Sequence, residues 1–437
     1  MLKKLTIALT CLFLVACQTS NNAKQTKQMS NESKDNGNLV MKALYNGDGN
    51  EQGFYHIATQ EVNGMCYYNI YYDDYASKKE IFLCDKPECT HTDDSCTSLI
   101  QGSMLDVLFL HKDHLYLIQN EFTGTVFHGD GSMQQKEMSG PRIIQMDLDG
   151  KNKKILGTLP NGFSYQDKDI ILDDHYLYLP LIKEETVEVS SSVYMSVAKE
   201  AKLFRIDLAT GEFYELLDFK NMHLIGCKNR TMILSKYEYQ KDPDQLLQEK
   251  KYDEYNDIMR NATSTYMVYS PDTQNIQNEI KVDSSILCIS DGTYLYYDAN
   301  NEIHRVSLKD GKDEMIQTMP NDSLYGIFEY RDGHLIIHGW GKEETSASYN
   351  RSYAFSVKDL SLKELSLSKH DPKEPLEILA ETKDSFFVYY DHDQHMEKTW
   401  AGTDQYELDK AYYGMISKED FWNSNANYQP LTTIHTR

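Results

Sequence analysis

A short phrase recurs seven times along this chain, and its spacing constrains the fold more than any other feature. Each copy begins with Asp or Asn, continues with one or two small or polar residues, and ends in a run of aromatic and aliphatic side chains. The copies begin at Asn63, Asp113, Asp174, Asn229, Asp291, Asp332 and Asp384. Successive copies are 41 to 62 residues apart, and self-similarity on that scale is typical of repeat architectures.

A second phrase follows the first within each repeat. Residues 142–150, 203–211 and 302–311 alternate apolar and polar side chains and end in Asp-Gly or Thr-Gly, after which another apolar run begins. This pattern predicts a strand, a tight hairpin and a further strand. Each unit is therefore expected to contain four antiparallel strands, which we name a to d in chain order.

Four-stranded sheets repeated around an axis are the blades of a propeller, and seven lies within the usual range of about 4 to 8. A solenoid or a row of separate domains is the alternative. A unit of about 50 residues is too small to bury an adequate core alone. Several units also carry apolar residues on both faces of strand b, as sheets packed between neighbours require. We therefore predict an all-β, seven-bladed β-propeller of four-stranded antiparallel blades over residues 39–437.

The first 38 residues indicate an export signal and a tether. Lys3 and Lys4 precede a largely apolar stretch at 5–15, which is far shorter than the ~20 residues that span a bilayer. The sequence then reads Leu-Val-Ala-Cys up to Cys17. Residues 18–38 contain almost no apolar side chains and cannot form a core. We predict a signal peptide at 1–16 and a disordered tether at 17–38, with an ordinary signal peptide and an incidental cysteine as the alternative.

The remaining chain is strongly acidic. Residues 39–437 contain 39 basic and 65 acidic residues, a net charge of −26. Such a field repels phosphate backbones, so nucleic acid is not an expected partner. Cations, basic peptides and neutral glycans are better candidates. The acidity is equally consistent with a role in keeping a surface protein soluble.

Three of the cysteines cluster with a histidine between 84 and 96. Cys84, Cys89, His91 and Cys96 provide three thiols and an imidazole within thirteen residues, which is a donor set that structural zinc sites use. The spacing matches no common zinc module, and it is not a haem attachment motif. A disulfide between two of the thiols, or incidental clustering, remains open because an exported protein meets oxidising conditions.

The position of this loop favours a structural role. It follows 80–83, which we interpret as strand c of the first blade, where a hairpin and strand d would be expected. A blade without its outer strand exposes an edge that needs cover. A metal or disulfide clip over that edge is the preferred interpretation, since a Cys3His shell leaves no open coordination position for catalysis.

The chain resembles the seven-bladed propellers of bacterial surface lipoproteins, in particular a Gram-positive type with a Cys-Pro-Cys-His loop and blades that read like Tyr-Arg-Ile-Asp-Leu-Asp-Gly. The resemblance covers about 54–434, and Leu-Val-Ala-Cys resembles a lipobox. It implies that Cys17 carries lipid and holds the protein on the extracytoplasmic face of the cell membrane, because two or more acyl chains anchor stably. It implies no reaction, since this architecture serves enzymes, receptors and scaffolds alike.

Long insertions occur mainly between strands b and c. They lie at 119–141, 183–201, 237–264, 339–351 and 391–410. The third includes a predicted helix at about 242–261, with Asp242 as N-cap and Pro243 in the first turn. Insertions confined to one face of a ring often mark the binding side. The candidate ligand-binding residues on this face are Trp340, Tyr349, Arg351, Trp400, Asp391, His392 and His395.

Three functions fit these patterns. The first is a binding or scaffolding propeller, a monomeric ring that recognises a protein, peptide or glycan. The second is a glycan-active hydrolase or lyase that uses carboxylates at the channel mouth. The third is an accessory or sensory subunit of an envelope machine. The sequence contains no Gly-x-Ser-x-Gly elbow, Walker loop or His-Glu-x-x-His motif, so the enzyme hypothesis ranks below the binding hypothesis.

Overall fold

The computed structural model describes residues 36–435, apart from the short segments 45–46, 64, 101–105, 120–122, 128–132, 138–140, 166–168, 191–192, 283–287, 321–322, 342–348, 370–373 and 399–403. Cys17 and Trp400 lie outside the described residues. No helix within them has the length and apolar character needed to cross a membrane.

The strands follow one another in blade order. The first is β1 (Val40–Ala43), and blade 1 contains β2 (Gly47–Gly49), β3 (Gly53–Val62), β4 (Met65–Asp74), β5 (Lys79–Phe82) and β6 (Leu99–Ile100). Blade 2 contains β7 (Val107–His111), β8 (His114–Gln119), the inserted strands β9 (Thr123–Phe127) and β10 (Met133–Glu137), and then β11 (Arg142–Asp147) and β12 (Lys154–Thr158). Blade 3 contains β13 (Asp169–Leu172), β14 (Tyr176–Ser190), β15 (Val193–Asp207) and β16 (Phe213–Asp218).

The later blades are arranged in the same way. Blade 4 contains β17 (Met222–Lys228), β18 (Thr231–Glu238), the helices α1 (Pro243–Gln248) and α2 (Tyr252–Arg260), β19 (Thr263–Ser270) and β20 (Asn275–Val282). Blade 5 contains β21 (Ile289–Ser290), β22 (Tyr294–Ala299), β23 (Glu302–Ser307) and β24 (Asp313–Thr318). Blade 6 contains β25 (Ser323–Arg331), β26 (His334–Gly341), β27 (Tyr349–Ser356) and β28 (Leu362–Leu365). Blade 7 contains β29 (Glu377–Glu381), β30 (Ser385–Lys398), β31 (Asp404–Ser417), α3 (Lys418–Trp422) and β32 (Gln429–Leu431).

Each blade is an antiparallel sheet in which neighbouring strands follow one another in the chain. The predicted seven-bladed β-propeller is therefore confirmed. The last blade takes all four of its strands from residues 377–431, so the ring closes without an exchange of strands between the two ends of the chain.

The recurring Asp shapes the turn between strands a and b. Asp173 Oδ1 accepts hydrogen bonds from the amides two and three residues later, at 2.9 and 2.8 Å. Its Oδ2 accepts a bond from the Tyr178 hydroxyl at 2.8 Å. Asp291 makes the same turn contacts, and its Oδ2 accepts from Tyr296 at 2.9 Å. In these two blades an Asp caps the turn and is tied to an aromatic residue of strand b. In blade 3 the capping residue is Asp173, one residue before the Asp174 from which the phrase was counted.

Apolar clusters fill the spaces between neighbouring blades. Six of these clusters contain at least eight buried apolar side chains among the described residues. The cluster between blades 7 and 1 has four buried members, which are Phe54, Ala380, Phe387 and Leu431. Burial of apolar surface between blades is the main stabilising term, and it is smallest at the closure of the ring.

Blade 1 corrects one prediction. We interpreted the phrase at Asn63 as the start of strand b and 80–83 as strand c, with the outer strand missing. Instead, Val62 pairs with Met65 across a tight b–c turn, and Asn63 adopts a φ of 54° there. β4 is strand c and β5 is the outer strand d. The error arose because strand a is the three-residue β2, Gly-Asp-Gly, which has no apolar periodicity to reveal it.

The segment before blade 1 lies in the central channel. β1 pairs with β13, the innermost strand of blade 3, so it is closer to the axis than any blade. The Leu39 amide donates to the Asn229 carbonyl of blade 4 at 2.6 Å, and Lys42 Nζ donates to the Leu110 carbonyl of blade 2 at 2.7 Å. The channel is thus occupied by the chain itself.

Candidate functional site

The long b–c connections stand on one face of the ring. Because successive strands of a blade are antiparallel, all b–c connections leave on one side, and the a–b and c–d turns lie on the other. In blades 3 and 7 the connection is a continuation of the strands themselves, as the hairpins β14–β15 and β30–β31 show. Blades 3 and 4 each lie three blades away from blade 7 around the ring. Two projections therefore stand on opposite sides of the channel mouth.

The helices of blade 4 pack against the hairpin of blade 3. Asp242 caps α1 by accepting a bond from the Asp244 amide at 3.0 Å. Leu246 and Leu247 of α1 are buried, and α1 contacts β14. Gln248 Nε2 donates to a carboxylate oxygen of Glu185 on β14 at 3.2 Å. Helices and hairpin thus form a single projection beside the channel mouth.

The hairpin of blade 7 presents two different faces. Met396 pairs with Tyr406, and both are exposed, at 53% and 61%; Leu408 is exposed nearby. The opposite face carries the ligand atoms of His395, Glu397 and Glu407 within 4.8 Å of one another. Since side chains alternate between the two faces of a strand, one face of the projection is apolar and the other is acidic.

The predicted residues on this hairpin occupy different surroundings. His392 is buried near the base of the hairpin, whereas His395 is exposed further along it. His395 Nδ1 lies 2.8 Å from Asp409 Oδ1. Asp391 accepts a bond from the His392 amide. The structure groups His395 with carboxylates of both strands rather than with Asp391 and His392, because a β-bulge between Asp393 and Gln394 interrupts the alternation.

The predicted aromatic site lies on blade 6. Trp340 is half-buried near the end of β26, and its ring centroid is 5.3 Å from that of Phe328. Phe328 is 53% exposed and lies within a bulge of β25. Arg351 is exposed on β27, and the β27 backbone at Tyr349 pairs with Trp340. Phe328 was missed because a bulge inside a strand leaves no periodic signal.

The four ligands of the cysteine loop come together at the outer edge of blade 1. The ligand atoms of Cys84, Cys89, His91 and Cys96 all lie within 4.8 Å of one another. His91 Nδ1 is 3.2 Å from Cys96 Sγ, and the His91 ring stacks on Phe82 with centroids 3.8 Å apart. All six cysteines in the described part of the chain are free thiols. The donor set and its proximity are those of a tetrahedral metal site.

The loop has the backbone geometry of a binding site. It connects β5 and β6, which cover different parts of β4, so it lies beside an outer strand rather than in place of one. Burial opposes ionisation of Cys84, but hydrogen bonds from the amides of Lys86 and Thr97 outweigh it and lower the pKa of this thiol. Backbone amides directed at a sulfur are typical of the groups that surround a bound metal.

Ionisation of Cys89 is opposed by its surroundings. Burial, and then the adjacent Cys96 side chain, raise the pKa of Cys89 to about 11. Its thiolate form therefore needs a compensating positive charge at neutral pH. A metal ion supplies that charge and displaces the thiol protons on binding.

A cavity of about 430 Å³ lies between this loop and blade 2. Its basic residues are already engaged by protein groups: Lys151 forms an ion pair with Asp85 at 2.7 Å, and Lys153 donates to the Leu99 carbonyl at 3.0 Å. These contacts tie the loop to the neighbouring blade.

Comparison with known proteins assigns no family and no reaction to this chain. No protein-family model and no curated protein sequence matches this chain. Among solved structures, an acylaminoacyl peptidase from Pyrococcus horikoshii matches with 9% identity over 70% of this chain and 43% of its own, with a TM-score of 0.40. TolB from Acinetobacter baumannii matches with 9% identity over 88% of this chain and 80% of its own, with a TM-score of 0.34.

An oligogalacturonate lyase in complex with manganese matches with 13% identity over 81% of this chain and 84% of its own, with a TM-score of 0.38. This chain spans about half the length of the acylaminoacyl peptidases that it matches, 43% to 51%. Similarities at this level are those of one architecture, which carries many unrelated functions.

Proposed function

We propose that this chain is a membrane-anchored, extracytoplasmic binding or scaffolding propeller that recognises a protein, peptide or glycan on the face of the long b–c connections. The observation that carries the proposal is which parts of that face are open to a ligand and which are occupied by the chain. Projections rise on opposite sides of the ring, while β1 occupies the β13 side of the channel between them. The accessible surface is therefore at the projections and the blade 6 aromatic residues, where stacking on sugars or apolar side chains is available.

The presence of β1 in the channel disfavours the glycan-active enzyme. That hypothesis needs a pair of carboxylates converging on the channel mouth with room for a sugar between them. β1 instead hydrogen-bonds along β13 over four residue pairs, Val40 to Ala43. Arg230 closes the opposite end by donating to the Gly37 carbonyl at 2.9 Å and to Asp173 at 2.8 Å.

The entry point of the chain supports a membrane-facing orientation. The Asp174 amide in an a–b turn donates to the Asn36 carbonyl at 3.0 Å. Asn36, the first described residue, therefore lies on the a–b side of the ring. If Cys17 is lipidated, this side faces the membrane and the b–c projections point away from it, toward a partner. Replacement Cys17→Ala is expected to release the protein from the membrane fraction, and retention of the variant there would contradict the anchor.

We assign zinc to the Cys84, Cys89, His91 and Cys96 cluster, as a structural ion that fixes the loop between β5 and β6. Elemental analysis of the purified protein, with thiol titration before and after chelator treatment, tests this assignment. Zinc bound at this cluster would protect three thiols until it is chelated. Equal thiol reactivity before and after chelation would overturn it. His334→Gln provides a matched control for substitution of the histidine in the cluster, because His334 stacks on Trp422 far from the cluster.

A binding screen tests the proposed face. The full mature chain is applied to glycan and peptide arrays, and the affinity for the strongest hit is then measured for Trp340→Ala and Tyr406→Ala. Loss of a stacking or apolar anchor is expected to weaken binding at least 10-fold, or about 1.4 kcal/mol. Leu360→Ala is the control, because Leu360 is exposed in a c–d turn on the other face. Equal affinities in all three variants would remove the site from the b–c face.

A stoichiometric partner that co-purifies from membranes would instead identify an accessory subunit. Arrays of nucleic acid serve as the negative control, because the net charge of −26 on residues 39–437 is expected to prevent binding.

A further inference from the structure

A second group of metal-binding side chains lies where the ring closes. His56 of β3, Asp73 of β4 and Glu80 of β5 face the blade 7 side of blade 1, and His435 reaches them from the segment after β32. The three blade 1 residues are buried, and Asp73 and Glu80 each expose 2% of their surface. Among the described residues, this interface also has the fewest buried apolar side chains of any cluster between neighbouring blades.

His56, Glu80 and His435 place their ligand atoms within 4.8 Å of one another, and Asp73 adjoins this group through His56. His56 Nε2 is 3.1 Å from Glu80 Oε1 and 3.3 Å from Asp73 Oδ2. His435 Nδ1 is 2.5 Å from the same Glu80 oxygen. A tetrahedral ion with bonds of about 2.0 to 2.2 Å keeps its donors about 3.3 Å apart. The separations from His56 therefore match a coordination shell.

The surrounding groups hold the cluster in place without completing it. Glu80 Oε2 accepts bonds from the amides of Ile434 and His435 at 2.5 and 2.8 Å, so the carboxylate is fixed in orientation. Asp73 Oδ1 has no hydrogen-bond partner although it is buried. A carboxylate oxygen in that state costs free energy unless a cation lies nearby. The unpartnered oxygen belongs to a carboxylate that already faces His56.

Charge balance points in the same direction. Asp73 and Glu80 are both buried beside His56. Buried carboxylates need a compensating positive charge, and a divalent cation can supply it. A protonated His56 can pair with one oxygen of Asp73 and one oxygen of Glu80. Asp73 Oδ1 then still has no partner. A divalent ion engages both carboxylates and both imidazoles together.

We propose that His56, Asp73, Glu80 and His435 bind one divalent first-row transition-metal ion, which locks the chain segment after blade 7 onto blade 1. Two nitrogen and two carboxylate donors suit Zn²⁺, Mn²⁺, Fe²⁺ or Co²⁺, whereas the thiolate cluster at Cys84 to Cys96 is the softer site. The ion would cross-link strands b, c and d of blade 1 to the other end of the ring. The function is structural, since all four donors come from the protein.

Metal counting in matched variants tests the proposal. The mature chain is stripped with chelator, loaded with Co²⁺ and measured by elemental analysis and absorption spectroscopy. Unmodified protein is expected to hold two ions per chain. The double variant Cys84→Ser with Cys89→Ser is expected to hold one, and its spectrum should lack the thiolate-to-cobalt charge-transfer band while it keeps the ligand-field bands. His435→Gln in the unmodified background is expected to hold one ion and to keep the charge-transfer band.

His395→Gln is the control, because this histidine is exposed on the blade 7 hairpin, far from the closure. It should leave the count at two. The metal-dependent rise in the thermal midpoint should be smaller in His435→Gln than in His395→Gln. If the cysteine variant does not fold, the comparison of His435→Gln with His395→Gln alone decides the question. Equal metal counts and equal metal-dependent midpoints in these two variants would overturn the proposal. The group would then be an ion-pair network in which Asp73 and Glu80 raise the pKa of a buried His56 to about 9 against the effect of burial.

Discussion

Leu39 provides a direct test of whether β1 is an integral part of the ring. Its side chain is 5% exposed and packs in the cluster between blades 3 and 4, against residues such as Ile171 and Leu224. The neighbouring Val40 is 53% exposed. Leu39→Ala removes three buried carbon atoms and leaves a cavity, and such changes cost about 3 kcal/mol within a range of about 2 to 5 kcal/mol. Val40→Ala should cost less than about 1 kcal/mol, because an exposed position loses little packing.

The two variants are compared by urea unfolding, in which the cost appears as a lower midpoint at an unchanged slope. Amide hydrogen exchange of residues 39–44 provides a second measurement, since local opening of β1 would speed exchange there before the blades unfold. If Leu39→Ala and Val40→Ala differ by less than about 0.5 kcal/mol, β1 is not packed in the channel. The argument against a channel site would then fail, and the glycan-active hypothesis would return.

Three further results are expected. Gly211→Ala should destabilise the protein by several kcal/mol, because φ at this position is +72° and a Cβ would lie 1.9 Å from the Leu156 carbonyl oxygen. Gly333→Ala should cost only about 1 kcal/mol, because φ is similar, at +75°, but the space around it is open. Equal midpoints of the two variants on thermal unfolding would refute this packing between blades 2 and 3. Burial lowers the pKa of His338 from 6.5 to about 4, so its neutral form stabilises the fold above pH 6.5 and this contribution is lost as the pH falls toward 4. His338→Gln should therefore lose about 2 kcal/mol less between pH 7 and pH 4 than unmodified protein, and parallel pH profiles of unfolding free energy would exclude the effect. Cys66 is exposed, whereas burial raises the pKa of Cys288 to about 12, so mass spectrometry should show iodoacetamide on Cys66 in the native protein and on Cys288 only after unfolding.

The repeats made the fold predictable because their signals are local. A capping Asp three residues before strand b, as at Asp173 and Asp291, and a glycine at the c–d turn each act within a few residues, so one sequence reveals them. Gly150, Gly211 and Gly311 all adopt positive φ in equivalent turns. The prediction of seven blades followed from counting such turns. The prediction was wrong in the first blade, because the turn at Asn63 connects strands b and c and not strands a and b.

Long-range pairing was not predictable in the same way. β1 reads Val-Met-Lys-Ala and gives no sign that it pairs with β13, about 130 residues further along the chain. The cysteine loop was visible because its four donors lie within thirteen residues. The group at the ring closure was not visible, because His435 and Glu80 are 355 residues apart and neither belongs to a motif.

The sequence separation also gives a physical reason for a polar or metal cross-link at this interface. Loop-closure entropy rises by about 0.6 kcal/mol for each doubling of loop length. Closing a loop of 355 residues therefore costs nearly 2 kcal/mol more than closing one of about 50 residues, the spacing of adjacent blades. The blade 7 and blade 1 interface bears this extra cost with the fewest buried apolar side chains among the described interfaces. Two backbone hydrogen bonds compensate in part, because the Thr432 amide donates to the Lys78 carbonyl and the Glu80 amide donates to the Thr432 carbonyl, but they align the chain segments without burying apolar area. A cross-link through Glu80 and His435 stabilises the interface between blades 7 and 1, which bears the largest cost in loop-closure entropy. Loss of these two side chains should therefore open the ring at this interface before any other interface separates.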